Sequence, residues 1–210
     1  MQNSFERFNE IQMQASAETF AEAMMSSTMI SNREELHRWL IKEILASEPS
    51  GLMAEFGVFE GKSINLFAEY LGRNGLSIHG FDAFEGIEEN WDADRLKGRY
   101  SRKGKEPDVA SNVQLHVGWV QDTLPGFLSA NEGKHFSFIH LDMDTYTPTR
   151  FALELLVPRL TKGTVILFDE LHGYPQWKAH EYKALQETLP ASRYNFIAFG
   201  LQQAAIRILA

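Results

Sequence analysis

From Leu52 onward, short apolar runs alternate with stretches of helical spacing, and this alternation restricts the fold more than any other feature of the chain. Apolar runs at 52–58, 76–81, 113–117, 136–141 and 164–168 read as strands, while helical periodicity covers 62–71, 148–160 and 176–188. Strands separated by helices favour a parallel sheet, because each helix carries the chain back across the sheet before the next strand begins. The last two runs, 194–199 and 204–209, have no helical stretch between them. Gly200-Leu201-Gln202 reads as a hairpin there, so the final strand is expected to run antiparallel.

The first fifty residues follow a different pattern. Phe20 and Met24, then Leu36, Leu40 and Ile44, recur at helical spacing. Ser31 and Glu34 form a capping-box pattern that predicts a second helix starting near Asn32, and Pro49-Ser50-Gly51 ends it. This stretch is too short to bury a core of its own. Residues 1–48 are therefore expected to form an N-terminal helical arm, and residues 49–210 one domain.

Composition removes several kinds of chemistry. The chain has no cysteine, which excludes thiol catalysis, CxxC redox chemistry and thiolate metal sites. Its formal net charge of −8 repels phosphate backbones and anionic membranes, so neither nucleic acid nor membrane is an expected partner. No apolar run approaches the ~20 residues of a membrane span. Residues 1–8 carry neither the basic nor the apolar region of a leader, so a cytoplasmic protein is expected. Met24, Met25, Met29 and Ile30 offer apolar surface through which the arm could form a homodimer. Residues 87–111 lack clear periodicity and are charge-segregated, with acids before Arg95 and bases from there to Lys105. A lid or binding loop and a solvated, self-neutralising excursion both fit such a stretch, and its bases could favour an anionic acceptor.

Three places could carry chemistry. Glu55-Phe56-Gly57-Val58-Phe59-Glu60-Gly61-Lys62-Ser63 sits where the first strand of the domain turns into a helix. In open parallel sheets, ligands bind outside the carboxyl ends of the strands. Phe59 stands where a dinucleotide fingerprint needs its second glycine, which counts against a pyrophosphate, and no phosphate-cradling P-loop is present. The second strand ends in Gly80-Phe81-Asp82, an acid placed either to grip two ribose hydroxyls or to cap a helix. Gly118-Trp119 follows the third strand, where Trp119 could flank an adenine or simply pack in the core. The fourth strand runs into Asp142-Met143-Asp144 and the fifth into Asp169-Glu170. Four carboxylates at neighbouring strand ends need protons or a cation to coexist, and a hard divalent ion such as Mg²⁺ suits oxygen ligands. Helix caps and surface acids explain any one of these residues singly.

Taken together, Glu55–Ser63, Gly80-Phe81-Asp82-Ala83-Phe84-Glu85-Gly86, Asp122-Thr123-Leu124-Pro125, 141–149 and Phe168-Asp169-Glu170 resemble the class I S-adenosylmethionine-dependent methyltransferases. The resemblance is closest to the macrocin O-methyltransferase (TylF/MycF-type) group and spans nearly all of residues 50–210. It implies an α/β Rossmann-like fold: a seven-stranded, mostly parallel sheet in the order 3-2-1-4-5-7-6, the seventh strand antiparallel, with helices on both faces. It implies that S-adenosylmethionine is the cofactor, with Glu55, Gly57 and Gly61 at its methionine end and Asp82 on its ribose. Phe59, Ser63, Ala83, Phe84, Gly118, Trp119 and Asp142 complete the expected cofactor contacts. A Mg²⁺ site is implied at Asp142, Asp169 and Glu170, with Asp144 competing for the place of Asp142. The sequence departs from the family at two points. The acid pair is Asp-Glu where the group commonly has Asp-Asp, which leaves Glu170 open to acting as a base. Thr145 and Tyr146 replace the lysine that catechol-type relatives carry after the strand-four acid.

The expected reaction is Mg²⁺-assisted O-methylation of a small-molecule acceptor, a sugar or secondary metabolite. Asp142 and Glu170 are expected at the reacting centre, and His172 is the first candidate for the base, ahead of His180 and Glu181. Tyr146, Tyr174 and Trp177 could form an aromatic wall for the acceptor, although core packing explains each. Two other readings compete: a non-catalytic S-adenosylmethionine-binding protein, and a metal-dependent hydrolase using the carboxylate cluster.

Overall fold

The computed structural model describes residues 3–210. Helix α1 (Ser4–Met25) begins at Asn3, whose side chain accepts from Glu6 N while Glu6 answers Asn3 N. Strand β1 (Thr28–Met29) and helix α2 (Arg33–Ala46) follow. The cap of α2 is Asn32, which accepts from Glu35 N at 3.0 Å, so the capping pair lies one residue beyond the expected Ser31 and Glu34.

The rest alternates as expected. Strand β2 (Leu52–Phe56), helix α3 (Lys62–Gly72) and strand β3 (Ile78–Asp82) come first. Strand β4 (Val113–Val117), helix α4 (Val120–Ala130), strand β5 (Phe136–Leu141) and helix α5 (Tyr146–Leu156) follow. Strand β6 (Leu160–Phe168), helix α6 (Glu181–Thr188), strand β7 (Tyr194–Phe199) and strand β8 (Ala204–Ile208) complete the chain. Helix α4 was not expected from the sequence. It holds Pro125 in its interior, and the signal usually read as a helix breaker hides it. Helix α6 begins five residues later than its periodicity predicts, because 169–180 forms turns instead.

The sheet runs β4-β3-β2-β5-β6-β8-β7-β1. Without β1 this is the expected 3-2-1-4-5-7-6 order, and β8 is antiparallel to both β6 and β7. The eighth strand is the two-residue β1, which pairs in parallel with the end of β7. The central strands β2 and β5, and β6 over residues 164–168, are buried, as parallel strands covered on both faces must be. Alternate residues feed opposite cores. Ile166 and Phe168 join Phe56, Leu124 and Leu153 on one face, while Val165 and Leu167 join Leu40, Ile64 and Phe67 on the other. Phe20 of α1 enters the first core and α2 supplies much of the second. Met24 packs against the core, and Met25 and Met29 are exposed. Among the described residues no helix is long and apolar enough to cross a membrane.

Candidate functional site

The strand order reverses between β2 and β5, and a cleft of about 680 Å³ opens at the carboxyl ends of these strands. This is the switch point at which doubly wound sheets bind ligands. Three walls meet there: the turn after β2, the loop after β3, and the acids after β5 and β6.

The turn after β2 is made possible by glycine. Gly57 has φ +90°, and a Cβ on it would lie 1.7 Å from the Asp142 carbonyl oxygen, so the β2 and β5 ends touch here. Gly61, at φ +78°, precedes α3. Phe59 holds φ +47°, costly for a bulky residue, and its half-exposed ring meets Tyr100 edge-on at 5.8 Å. Asp82 fastens this turn to β3. Its Oδ2 accepts from Val58 N at 2.8 Å and Phe59 N at 2.7 Å, and its Oδ1 accepts from Phe84 N at 2.6 Å. An ionised carboxylate has about four acceptor positions. The three backbone bonds leave about one for a ligand on the cleft side, so Asp82 organises the loop as well as facing the cleft.

Of the expected cofactor residues, Gly57, Phe59, Ser63, Asp82 and Ala83 line the cleft, as do Gly118, Trp119 and Asp142. Glu55, Gly61 and Phe84 do not. Phe84 is core, and its carbonyl accepts from Arg102 N and Gly104 N. Glu55 is fully buried beneath the turn. Its Oε1 accepts from Ser63 Oγ at 2.9 Å and its Oε2 lies 2.9 Å from His140 Nδ1. It supports the turn from below rather than facing the cleft.

The loop over the cleft is ordered by its own hydrogen bonds. Ile87 N donates to Arg99 O and Gly98 N to Ile87 O, both at 2.9 Å. Trp91 is buried, with the Arg95 guanidinium 3.4 Å from its ring centroid, and Arg95 pairs with Asp92. Trp91, Arg95 and Tyr100 line the cleft, so this excursion forms one of its walls. The one basic residue of the 95–105 run that lines the cleft already has a carboxylate partner.

The acids after β5 and β6 divide into two groups. Carboxylate oxygens of Asp142, Asp144 and Glu170 all lie within 4.8 Å of one another and line the cleft. Asp144 sits at φ +62°, a strained position for a residue with a side chain. Asp169 lies outside this group. Its Oδ2 is 2.6 Å from Arg33 Nη2, and its Oδ1 accepts from Gln203 Nε2 and lies 3.5 Å from His140 Nε2. Arg33 Nη2 is also 2.9 Å from Asp142 Oδ2.

The charges follow from these contacts. Burial opposes ionisation of Asp169, but His140 and Arg33 outweigh it and hold the carboxyl below its usual range. His140 is wholly buried, which disfavours its charge. Asp169 and Glu55 on either side overcome this and raise it to about 10, so it stands as an imidazolium between two acids. Burial and then the Asp169 charge push Asp144 up to about 7, and push Asp142 and Glu170 well above the carboxylate range. The cleft-facing carboxyls are thus neutralised by protons, by Arg33 or by a bound cation.

His172 is not brought to this place. Its Nε2 lies 3.2 Å from Gln203 O, its ring packs against Phe20 and Phe199, and it does not line the cleft. His180 Nε2 is tied to Trp91 O at 2.9 Å, and Glu181 is buried, with Oε2 accepting from Glu170 N. Trp177 and Tyr174 are core. Three participants escaped the sequence: Arg33, His140 and Gln203. For His140 a signal existed, an imidazole inside the apolar run Phe138-Ile139-His140-Leu141.

Comparison with known proteins bears on the family and the fold. A 4'-O-methyltransferase of Streptomyces olivaceus, named for 8-demethyl-8-(2,3-dimethoxy-alpha-L-rhamnosyl)-tetracenomycin-C, is 29% identical over 157 residues, covering 63% of this chain. The match spans 58% of that relative's length. The calicheamicin methyltransferase CalS11 superposes with a TM-score of 0.68 at 21% identity, covering 99% of this chain and 94% of that one. Its apo structure, described as a TDP-rhamnose 3'-O-methyltransferase, gives a TM-score of 0.64 at 26% identity, covering 83% of this chain and 78% of that one. The family profile described as "Methyltransferase domain" matches residues 54–171. With more than half of its length so matched, the chain belongs to this methyltransferase family.

Proposed function

We propose that this chain is an S-adenosylmethionine-dependent O-methyltransferase whose acceptor is a hydroxyl of a sugar-bearing small molecule. The observation that carries the reading is the juxtaposition across one cleft of the Asp82-fastened glycine turn and a cluster of cleft-facing carboxylates. The names of the two relatives, one acting on a rhamnosyl group and one on a nucleotide-linked rhamnose, favour a deoxysugar acceptor.

S-adenosylmethionine supplies an electrophilic methyl group when bound. Asp82 and the Gly57–Phe59 backbone would hold its ribose and amino-acid ends, with Trp119 beside its base. Trp91 and the loop around it exclude water above the reacting atoms, and holding the acceptor oxygen in line with the methyl group lowers the barrier. Methylation of the acceptor oxygen would require its proton to leave. Asp144 faces the cleft beside Asp142 and is the residue we assign to take that proton, in place of His172.

Asp142 and Glu170, with Asp144 beside them, fit a hard divalent ion. They offer oxygen donors gathered within 4.8 Å, and Glu170 Oε2 is buried with no hydrogen-bond partner. Mg²⁺ held there would lower the pKa of the acceptor hydroxyl and orient it. Asp169 would steady Asp142 from behind through Arg33.

Calorimetry tests the cofactor half of this reading. S-adenosylmethionine should bind at micromolar concentration and raise the melting temperature. No heat of binding at millimolar ligand would defeat the proposal.

A further inference from the structure

Arg33 is the first residue of α2, and its guanidinium touches carboxylates more than a hundred residues away along the chain. Nη2 lies 2.9 Å from Asp142 Oδ2 and 2.6 Å from Asp169 Oδ2. Among the described residues no other lysine or arginine is within ion-pair distance of Asp142, Asp144, Asp169 or Glu170. The helix does not need this contact to stay in place. Ile30 N donates to Phe199 O at 2.9 Å, Asn32 caps the helix, and Leu36, His37 and Leu40 are buried behind it. The Arg33 side chain itself is 55% exposed and has solvent to turn into. The chain thus carries a tethered cation on Asp142, a member of a donor set suited to a free one.

We infer that Arg33 competes with a divalent cation for Asp142, and so sets the metal affinity of the carboxylate cluster as a positioning residue. In the metal-free protein the guanidinium spans Asp142 and Asp169. When an ion takes Asp142, the guanidinium keeps Asp169 alone or turns to solvent. Asp169 suits the part of pivot, because it stands outside the three-oxygen group and is fixed by Gln203 and His140. This inference rests on the divalent-cation reading of the cluster, not on the cofactor reading.

Titration calorimetry with Mg²⁺ at 0.15 M salt on the full chain, Arg33→Gln and Lys62→Gln tests it. Lys62 lines the same cleft but pairs with Glu60, so Lys62→Gln removes an equal charge without touching the cluster. Loss of one charge-assisted bond predicts that Arg33→Gln binds Mg²⁺ about tenfold more tightly than the unaltered chain. Lys62→Gln should stay within about twofold, as expected for an exposed charge screened by salt. A second readout uses the unaltered chain: the ¹⁵Nε resonance of Arg33, assigned by its absence in Arg33→Gln or Arg33→Lys, should shift with the calorimetric midpoint. Equal or weaker affinity in Arg33→Gln overturns the inference, as does equal tightening in Lys62→Gln. If neither the unaltered chain nor Arg33→Gln binds Mg²⁺, the inference falls together with the cation reading, and S-adenosylmethionine binding stands. Should Arg33→Gln not fold, an Arg33 resonance unmoved by saturating Mg²⁺ decides against it.

Discussion

On the β2–β3–β4 side of the cleft the surface is fastened through main chain; on the β5–β6 side it is made of carboxylates. The first side is organised by one acid, Asp82, that collects N–H groups from Val58, Phe59 and Phe84. The second side gathers Asp142, Asp144 and Glu170 into one space and balances them with Arg33 and His140 from distant segments. Backbone bonds fix shape and hold an extended ligand with little dependence on pH. Clustered acids fix charge, and their state changes with whichever cation is at hand. A transferase that must grip one substrate tightly and deprotonate another needs both.

The sharpest way to break this division is at Gly57, where the two sides meet. Gly57→Ala puts a methyl group against the Asp142 carbonyl at a positive φ. A loss of about 4 kcal/mol or more is expected, read as failure to fold or a collapse in melting temperature. A mild effect would mean that the two sides are not in rigid contact.

The next test separates the sides. Asp82→Ala should weaken S-adenosylmethionine about a thousandfold, because it removes charge-assisted bonds that order the turn and meet the ligand. Asp144→Asn should leave that affinity within about twofold and lower the transfer rate about 100-fold, the range for loss of a general base. Calorimetry and single-turnover rates on both variants check this. A rate loss without an affinity loss in Asp82→Ala would contradict the division of labour.

The smallest effect concerns the β3–β4 edge. His79 Nδ1 lies 3.1 Å from His116 Nε2. Burial lowers both, and the His116 neighbour also lowers His79, to about 4. The folded chain keeps these rings neutral while the unfolded chain takes up protons first. Their contribution is therefore intact above pH 6.5 and is lost as pH falls toward 4. His79→Gln should make the melting temperature less steep over that window, and an unchanged slope would show that the pair is not desolvated as described.

The same division explains what was legible in the sequence. The alternation of strands and helices and the antiparallel last strand were readable because period-two and period-3.6 patterns are local, whereas the strand order came with the family resemblance. The glycine turn and Asp82 were readable because short spacings at strand ends have few geometric solutions. Helix α4 was hidden by Pro125 and Gly126, whose local preference the packing of Val120, Leu124, Phe127 and Leu128 overrides. The charge network was not readable. Arg33 and Asp142 are 109 residues apart, His140 and Glu55 85, and Gln203 and Asp169 34. No local pattern announces such pairs. His172 illustrates the converse. Three residues after Asp169 seemed near enough to the site, but its backbone N donates to Gln202 O and its ring is drawn into the aromatic cluster around Phe20.

The two-residue strand β1 bears on what the molecule avoids as well as on what it does. Strand β7 would otherwise end the sheet with a row of open backbone donors and acceptors, a template for strand exchange between molecules. Thr28 and Met29 pair with its last two residues, Ala198 and Phe199, and Ile30 N donates to the Phe199 carbonyl. The same short segment leads directly into Asn32 and Arg33. Shortening the arm would therefore uncover an adhesive border and remove the tethered cation in one stroke, joining colloidal behaviour to the chemistry of the cleft through a few consecutive residues.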